Sequence, residues 1–357
     1  MRNKLIGIAL GLLIAGGFVL RQSRLPGLDS LQLLPENSGA IKTVALQYTR
    51  QSGLSSSPCY RAFLGQLEPG TEVIVVCGDD ADAASFRHLI ADRCLTRARI
   101  ETVTVGKPIT GWCKDRFLVT SDRPAALVHP PAADPGLAAR SNDSLVAPAL
   151  AKAYPNRFRC VELPIRFDAG DIVATRSRVI VSDNLWRKYG RPADFKAQLY
   201  RQFGRGVLWL RGVPDHHIGM YAAPLDERTV VVGDPELGRS LWTKASETSL
   251  GAADFSSATV AAFKRAARQL RSAGFRVIRA PLIPLGPQTY VTYTNGVFET
   301  RGGRRIVYMP VYGDAALDAA GRKAFESAGW QVRPIPVRSV YKFRGTIGCM
   351  INVLERS

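Results

Sequence analysis

Apolar and polar positions along the chain switch repeatedly between two periods. Short apolar runs rich in Val, Ile and Thr, such as TVALQYTR (43–50), TEVIVVCG (71–78) and ARIETVTV (98–105), read as buried strands. Between the last two lies ADAASFRHLIADR (81–93), whose apolar positions recur three and four apart, the spacing of an amphipathic helix. DRFLVT and AALVHP follow as a hairpin, then come CVELPIRF, DIVATRSRVIVSD, the helix DFKAQLYRQFG and the strand VLWLRG. MYAAPLDERTVVVGD reads as a hairpin with a charged turn, and VAAFKRAARQLRSAG as a helix leading into FRVIRAPL. The last unit repeats the theme: a hairpin around Gly302 and Gly303, the helix AALDAAGRKAFESAG and the strand WQVRPIPV. Strand, strand, helix, strand recurs without an obvious internal linker. This predicts one α/β or α+β domain assembled from repeats.

The N-terminus departs from that pattern. In MRNKLIGIALGLLIAGGFVLRQSR (1–24) two basic residues precede an uncharged apolar run from Leu5 to Leu20, and Arg21 and Arg24 follow it. This is the layout of an export signal, either cleaved as a signal peptide or retained as a membrane anchor. A Pro/Gly/Ser-containing stretch reads as a linker over 25–41, leaving 42–357 as the folded body. The expected location is therefore outside the cytoplasm, periplasmic or extracellular, with membrane contact through the N-terminal segment.

Composition narrows the function classes. Lys and Arg number 48 against 30 acids, a formal charge of +18 that favours anionic surfaces such as phospholipid head groups or acidic polymers. The charges are scattered; the densest cluster, KRAARQLRSAGFR (264–276), reads as the solvated face of a helix. No helix-turn-helix, RNA-recognition or zinc-finger pattern occurs, so no nucleic-acid partner is expected. The six cysteines permit disulfides in an exported chain, but their spacing does not make a disulfide scaffold. Four histidines without HExxH or Cys/His pairs at ligand spacing predict no metal site, and no glycine-rich phosphate loop follows a strand. No cofactor is expected.

A few stretches are hard to explain by packing alone. In TGWCKDRFLVT, Asp115 stands three residues after Trp112 and just ahead of an apolar strand; in RFDAGDIVAT, Asp168 and Asp171 flank Ala-Gly ahead of another, a sharp turn where backbone can approach a ligand. In VPDHHIGMY, the pair His216 and His217 follows an apolar strand, and RGTIGCMINVLERS carries the lone Cys349. Each has a plain structural reading as well: turn acids, surface histidines, a packed thiol. Cys113 reads as a packed thiol and His216 as a surface residue.

Taken in order, these stretches resemble the guanidino-group-modifying superfamily, the pentein-fold enzymes that include agmatine deiminase, bacterial peptidylarginine deiminase, arginine deiminase and dimethylarginine hydrolase. The family's W-x-R-D segment is similar to Trp112-Cys113-Lys114-Asp115, its acid-Gly-Gly-Asn/Asp turn to Asp168-Ala169-Gly170-Asp171, and its His-x-Asp to His217-Ile218-Gly219. Its Y-x-N strand is similar to Tyr293-Thr294-Asn295, and its terminal His-Cys to Gly348-Cys349. The resemblance covers most of the chain from about residue 42 and implies a propeller of five strand-strand-helix-strand units around a central site. It implies a hydrolase of a guanidino C–N bond acting on a guanidino small molecule such as agmatine, or on arginine in a peptide. Cys349 would be the nucleophile, His217 the acid/base and Asp168 its carboxylate, with Asp115, Trp112, Asp171 and Asn295 on the substrate and no metal or cofactor.

Four positions depart from the family pattern: Lys114 for Arg, Ala169 for Gly, Gly348 for His, and Gly219 where a second substrate-gripping Asp belongs. Asp215 and Asp171 are the nearest acids in sequence to Gly219. Two other readings of these residues stand beside the hydrolase: a catalytically inactive pentein-fold binding protein, and an exported basic protein that binds anionic envelope components.

Overall fold

The computed structural model describes residues 31–91, 98–131, 135–163 and 165–357. The segment 1–24, read as an export signal or anchor, lies outside them, as does Cys94. Among the described residues, no helix is long and apolar enough to cross a membrane.

Five small sheets stand around one axis, and they share a plan: a short inner strand pairs antiparallel with a second strand, which pairs parallel with a third. The second blade is Leu118–Val119, Ala125–His129 and Phe158–Glu162; the third is Ile172–Ala174, Arg178–Ser182 and Gly206–Leu210. The fourth is Ala222–Pro224, Thr229–Asp234 and Arg276–Pro284, with Tyr290–Thr292 added at its edge, and the fifth is Val297–Arg301, Arg304–Val311 and Gln331–Pro336. Parallel neighbours require a crossover, and helices such as Ser257–Ser272 and Ala315–Glu326 supply it. In the helix Ser257–Ser272, Phe263, Ala266, Ala267 and Leu270 face the sheet, while Lys264 and Arg268 point to water as the sequence predicts. The fifth hairpin turns at Gly302 and Gly303 with φ of 55° and 77°, backbone that favours glycine at both positions.

The first blade closes the ring. Ile41–Tyr48, Glu72–Cys77 and Arg99–Thr104 run parallel, and the inner strand comes from the far end of the chain: Ile351–Arg356 pairs antiparallel with Ile41–Tyr48. Side chains fill the space between the inner strands. The axial cavity that remains, ≈ 70 Å³, has room for a few water molecules, so the axis is a core and not a pore.

Two expectations from sequence are modified. The sequence reading assigns no element between the strands 43–50 and 71–78, where the structure has the helix Arg50–Gln66 with Pro58 inside it. Its start is fixed by a capping box, with Thr49 Oγ1 accepting from Ser52 N at 3.0 Å and Ser52 Oγ accepting from Thr49 N at 3.1 Å, and Pro58 falls on the exposed side. The stretch expected as a linker is docked from Leu31 onward. Leu34 N donates to Val119 O at 2.8 Å and Glu36 N to Ala174 O at 3.0 Å, so the segment crosses the C-terminal ends of inner strands and seals one end of the axis. Leu31 and Leu33, 3% and 1% exposed, are held there by apolar burial in the cluster around Ala126, Ile172 and Leu185.

Leu33→Ala is expected to cost about 2–5 kcal/mol of unfolding free energy, the range for a well-buried leucine. Denaturant titration measures it, and a change within about 0.5 kcal/mol would show that the segment lies on the ring without contributing to it.

Candidate active site

The same geometry recurs at the other end of the axis, just ahead of each inner strand. Asp115 lies in the 3₁₀ turn Cys113–Arg116 before Leu118–Val119, and Asp168 begins the turn Ala169–Asp171 before Ile172–Ala174. His217 precedes the turn Ile218–Met220 that leads to Ala222–Pro224, Asn295 stands two residues before Val297–Arg301, and Cys349 lies in the single turn Ile347–Met350 before Ile351–Arg356. Each blade thus contributes one polar side chain from the N-terminal end of its inner strand. Residues far apart in sequence meet because the ring brings those ends together.

The contacts are direct. Asp115, Asp168, Asn295 and Cys349 are each between 4% and 6% exposed. His217 Nδ1 lies 3.6 Å from Asp115 Oδ1 and its Nε2 3.6 Å from Asp168 Oδ2, so the ring stands between two carboxylates. The donor atoms of Asp115, His217 and Cys349 lie within 4.8 Å of one another, and the Cys349 thiol donates to Asn295 Oδ1 at 3.4 Å. Thr346 Oγ1 donates to the same Asn295 oxygen at 2.6 Å. In the Asp-Ala-Gly-Asp turn the backbone approaches the His217 ring and not a ligand: a Cβ on Gly170 would stand 2.5 Å from His217 Cγ and Nδ1. The imidazole rests on bare backbone.

Burial opposes charging His217, yet the Asp115 and Asp168 carboxylates and the adjoining Cys349 outweigh it and hold the imidazole protonated well above its usual range. Burial likewise pushes Asp115 up, partly offset by His217 and Arg140. For Asp168, burial is overcome by the neighbouring His217 imidazolium and the Lys188 ammonium, which keep the carboxylate ionised far below the usual range. His216 differs from the surface residue expected. It is buried, its pKa is lowered to about 3 by burial and the neighbouring imidazolium, and its Nδ1 accepts from His217 N at 2.8 Å, leaving Nε2 to donate to Arg344 O at 3.0 Å. It is a neutral brace.

Other expected site residues play supporting parts. Asp171 is fully buried and already engaged: Oδ2 accepts from Asp168 N at 3.0 Å and pairs with Lys188 Nζ at 2.7 Å, and Oδ1 accepts from Asn184 Nδ2 at 2.6 Å. It fixes the turn that aims Asp168. Asp215 pairs with Arg187 at the surface, so neither acid near Gly219 supplies a replacement carboxylate. Trp112 packs beneath Gly345, whose Cβ would meet the indole at 2.5 Å, and lines an adjoining groove with Leu54, Phe343 and Met350. Lys114 pairs with Glu36 at 2.8 Å. Cys113 is a buried free thiol, as read from sequence, and none of the cysteines among the described residues is in a disulfide. Lys188 and Arg140 have no motif to betray them; both reach the site from outside the strand-end turns.

No protein-family model and no curated protein sequence matches the chain. Solved structures do. The agmatine deiminase of C. jejuni superposes with a TM-score of 0.67 at 15% identity, covering 92% of this chain and 96% of that one. That of Enterococcus faecalis gives 0.66 at 13%, covering 92% and 96%. A peptidyl-arginine deiminase-like protein gives 0.70 at 16%, covering 93% and 100%. The chain has the pentein fold.

On this pentein ring the departures at Gly219 and Gly348 belong together. A Cβ at either position would stand 3.0 Å from Asn295 Nδ2, so the two glycines make room for one amide. Asp115, His217 and Cys349 are also close enough to ligate one metal ion.

Gly170→Ala is expected to push the His217 ring off both carboxylates. The imidazole titration, followed by NMR, should then move down toward the ordinary histidine range while circular dichroism is unchanged. An unaltered titration would mean that Gly170 does not seat the ring.

Proposed function

We propose that this pentein protein is a cysteine-dependent hydrolase of a guanidino C–N bond, a deiminase. The observation that carries the reading is the meeting of the Cys349 thiol, the protonated His217 and the Asp115 and Asp168 carboxylates at one buried end of the axis. A guanidinium carbon is a poor electrophile, so the site must hold the cation and supply a strong nucleophile and a proton donor. Asp115 holds the planar cation through its N–H edge. Cys349, once its thiol proton has passed to solvent because His217 is already protonated, attacks the central carbon as the thiolate, forming the C–S bond. His217 gives its proton to the departing nitrogen as the C–N bond breaks, which releases ammonia and leaves an amidino group on sulfur. The now neutral His217 takes a proton from water, the hydroxide adds to the same carbon, and the C–S bond breaks to give a ureido product, thiolate and imidazolium. Asp168 stabilises the imidazolium in both half-reactions, and Lys188 and Asp171 hold Asp168 in place.

Arginine in a peptide and agmatine are the substrates this reading favours, in line with the proteins of the same fold. The basic-flanked apolar segment at residues 1–24 supports export, with the reaction outside the cytoplasm.

Cys349→Ala is expected to abolish ammonia release from guanidino substrates while leaving the unfolding midpoint unchanged; residual turnover at the wild-type rate would refute covalent catalysis by this thiol. Asp168→Asn should lower turnover about 100-fold or more. The sign of its pH effect follows from the ion pair. The carboxylate raises the His217 pKa, so without it the proton is lost at lower pH and the basic limb of the pH–rate profile shifts down. A limb that stays in place would assign it to another group.

A further inference from the structure

The carboxylate that the proposed reaction needs for its substrate already carries a guanidinium. Arg140, on the 3₁₀ segment Pro135–Leu145, reaches inward so that Nη2 donates to Asp115 Oδ2 at 3.1 Å and Nε donates to Asp143 Oδ2 at 3.4 Å. Asp143 is 1% exposed and built into the wall: Oδ1 accepts from Thr110 N at 2.7 Å and Gln47 Nε2 at 3.2 Å, and Oδ2 accepts from Thr110 Oγ1 at 2.6 Å. Two carboxylates therefore grip one planar cation at different edges, the contact that a bound guanidino group makes. The other oxygen of Asp115 faces His217, and both it and Asp168 Oδ1 are buried without a hydrogen-bond partner. The reactive groups are assembled around a subsite whose cation comes from the chain itself.

We propose that Arg140 is an internal occupant of the guanidinium subsite and that a substrate guanidino group binds by displacing it from Asp115. The proposal rests on Asp115 being the substrate clamp of the deiminase reading. Two guanidinium groups repel strongly when shielded from water, so they exclude each other at one carboxylate. The exchange leaves the charge of the site unchanged and replaces one contact by its chemical equal. A bare guanidinium gains little from it. Affinity must come from what the substrate carries beyond the guanidino group, which selects arginine in a larger molecule over small free guanidines.

The test compares alkylation of Cys349 by 2-chloroacetamidine, a planar amidinium cation, with that by the neutral iodoacetamide, read at the Cys349 peptide by mass spectrometry. In each reaction the sulfur displaces the halide. Arg140→Gln is expected to raise the amidinium-to-amide rate ratio about tenfold or more, because the competing cation is gone. Arg140→Lys, which keeps a cation at Asp115, should stay near wild type. The iodoacetamide rate in each variant reports whether the site remains folded. An unchanged or lowered ratio in Arg140→Gln, or a Cys349 that neither reagent reaches in that variant, would overturn the proposal. A raised ratio with no ammonia release from any guanidino compound would leave Arg140 on its subsite and remove only the deiminase reading.

Discussion

The antiparallel pairing of Ile351–Arg356 with Ile41–Tyr48 is the constraint on which the rest of the structure depends. Without it the first blade lacks its inner strand, the axis lacks a wall, and Cys349, one residue ahead of that strand in the turn Ile347–Met350, has no fixed place beside His217. Closure costs the entropy of joining ends separated by most of the chain, and that cost is met collectively by the apolar residues packed around the axis. Fold and reactive centre are therefore completed in one step.

Electrostatics at the axis follow from the same geometry. Five strand ends point their polar side chains at a space from which water is nearly excluded, so charges there persist only in pairs. Asp168 has Lys188 and His217, Asp171 has Lys188, and Asp115 has His217 and Arg140. The imidazolium sits between two carboxylates and stays charged because removing its proton would leave both anions less compensated. The loss of the second family acid at Gly219 matters in this balance. The freed volume has gone to the Asn295 amide, which touches the cysteine and adds no charge.

Much of this was legible from sequence, and the reason is positional. Asp115 and Asp168 each stand just before an apolar run and so were readable as strand-mouth acids, whereas His217, Asn295 and Cys349 were found through the order of the motifs and the resemblance that order carries. The Gly302-Gly303 hairpin was readable because its backbone demands glycine. Other features were hidden because they depend on contacts between distant segments. Arg50–Gln66 becomes a helix through Thr49 and Ser52 in spite of Pro58, and His216 is buried by a backbone carbonyl from residue 344. Asp171 looked like a substrate contact because it shares a turn with Asp168, whereas Lys188 and Asn184 claim it for the scaffold. Arg140 is one arginine among many until the ring places it on Asp115.

The docked segment at Leu31–Glu36 gives the ring a polarity. It crosses the end of the axis away from Cys349, with Glu36 O accepting from Arg356 Nη2 at 2.8 Å beneath the ring-closing strand. The segment therefore caps one face while the reactive side chains gather at the opposite one, so the two ends of the ring are chemically unlike.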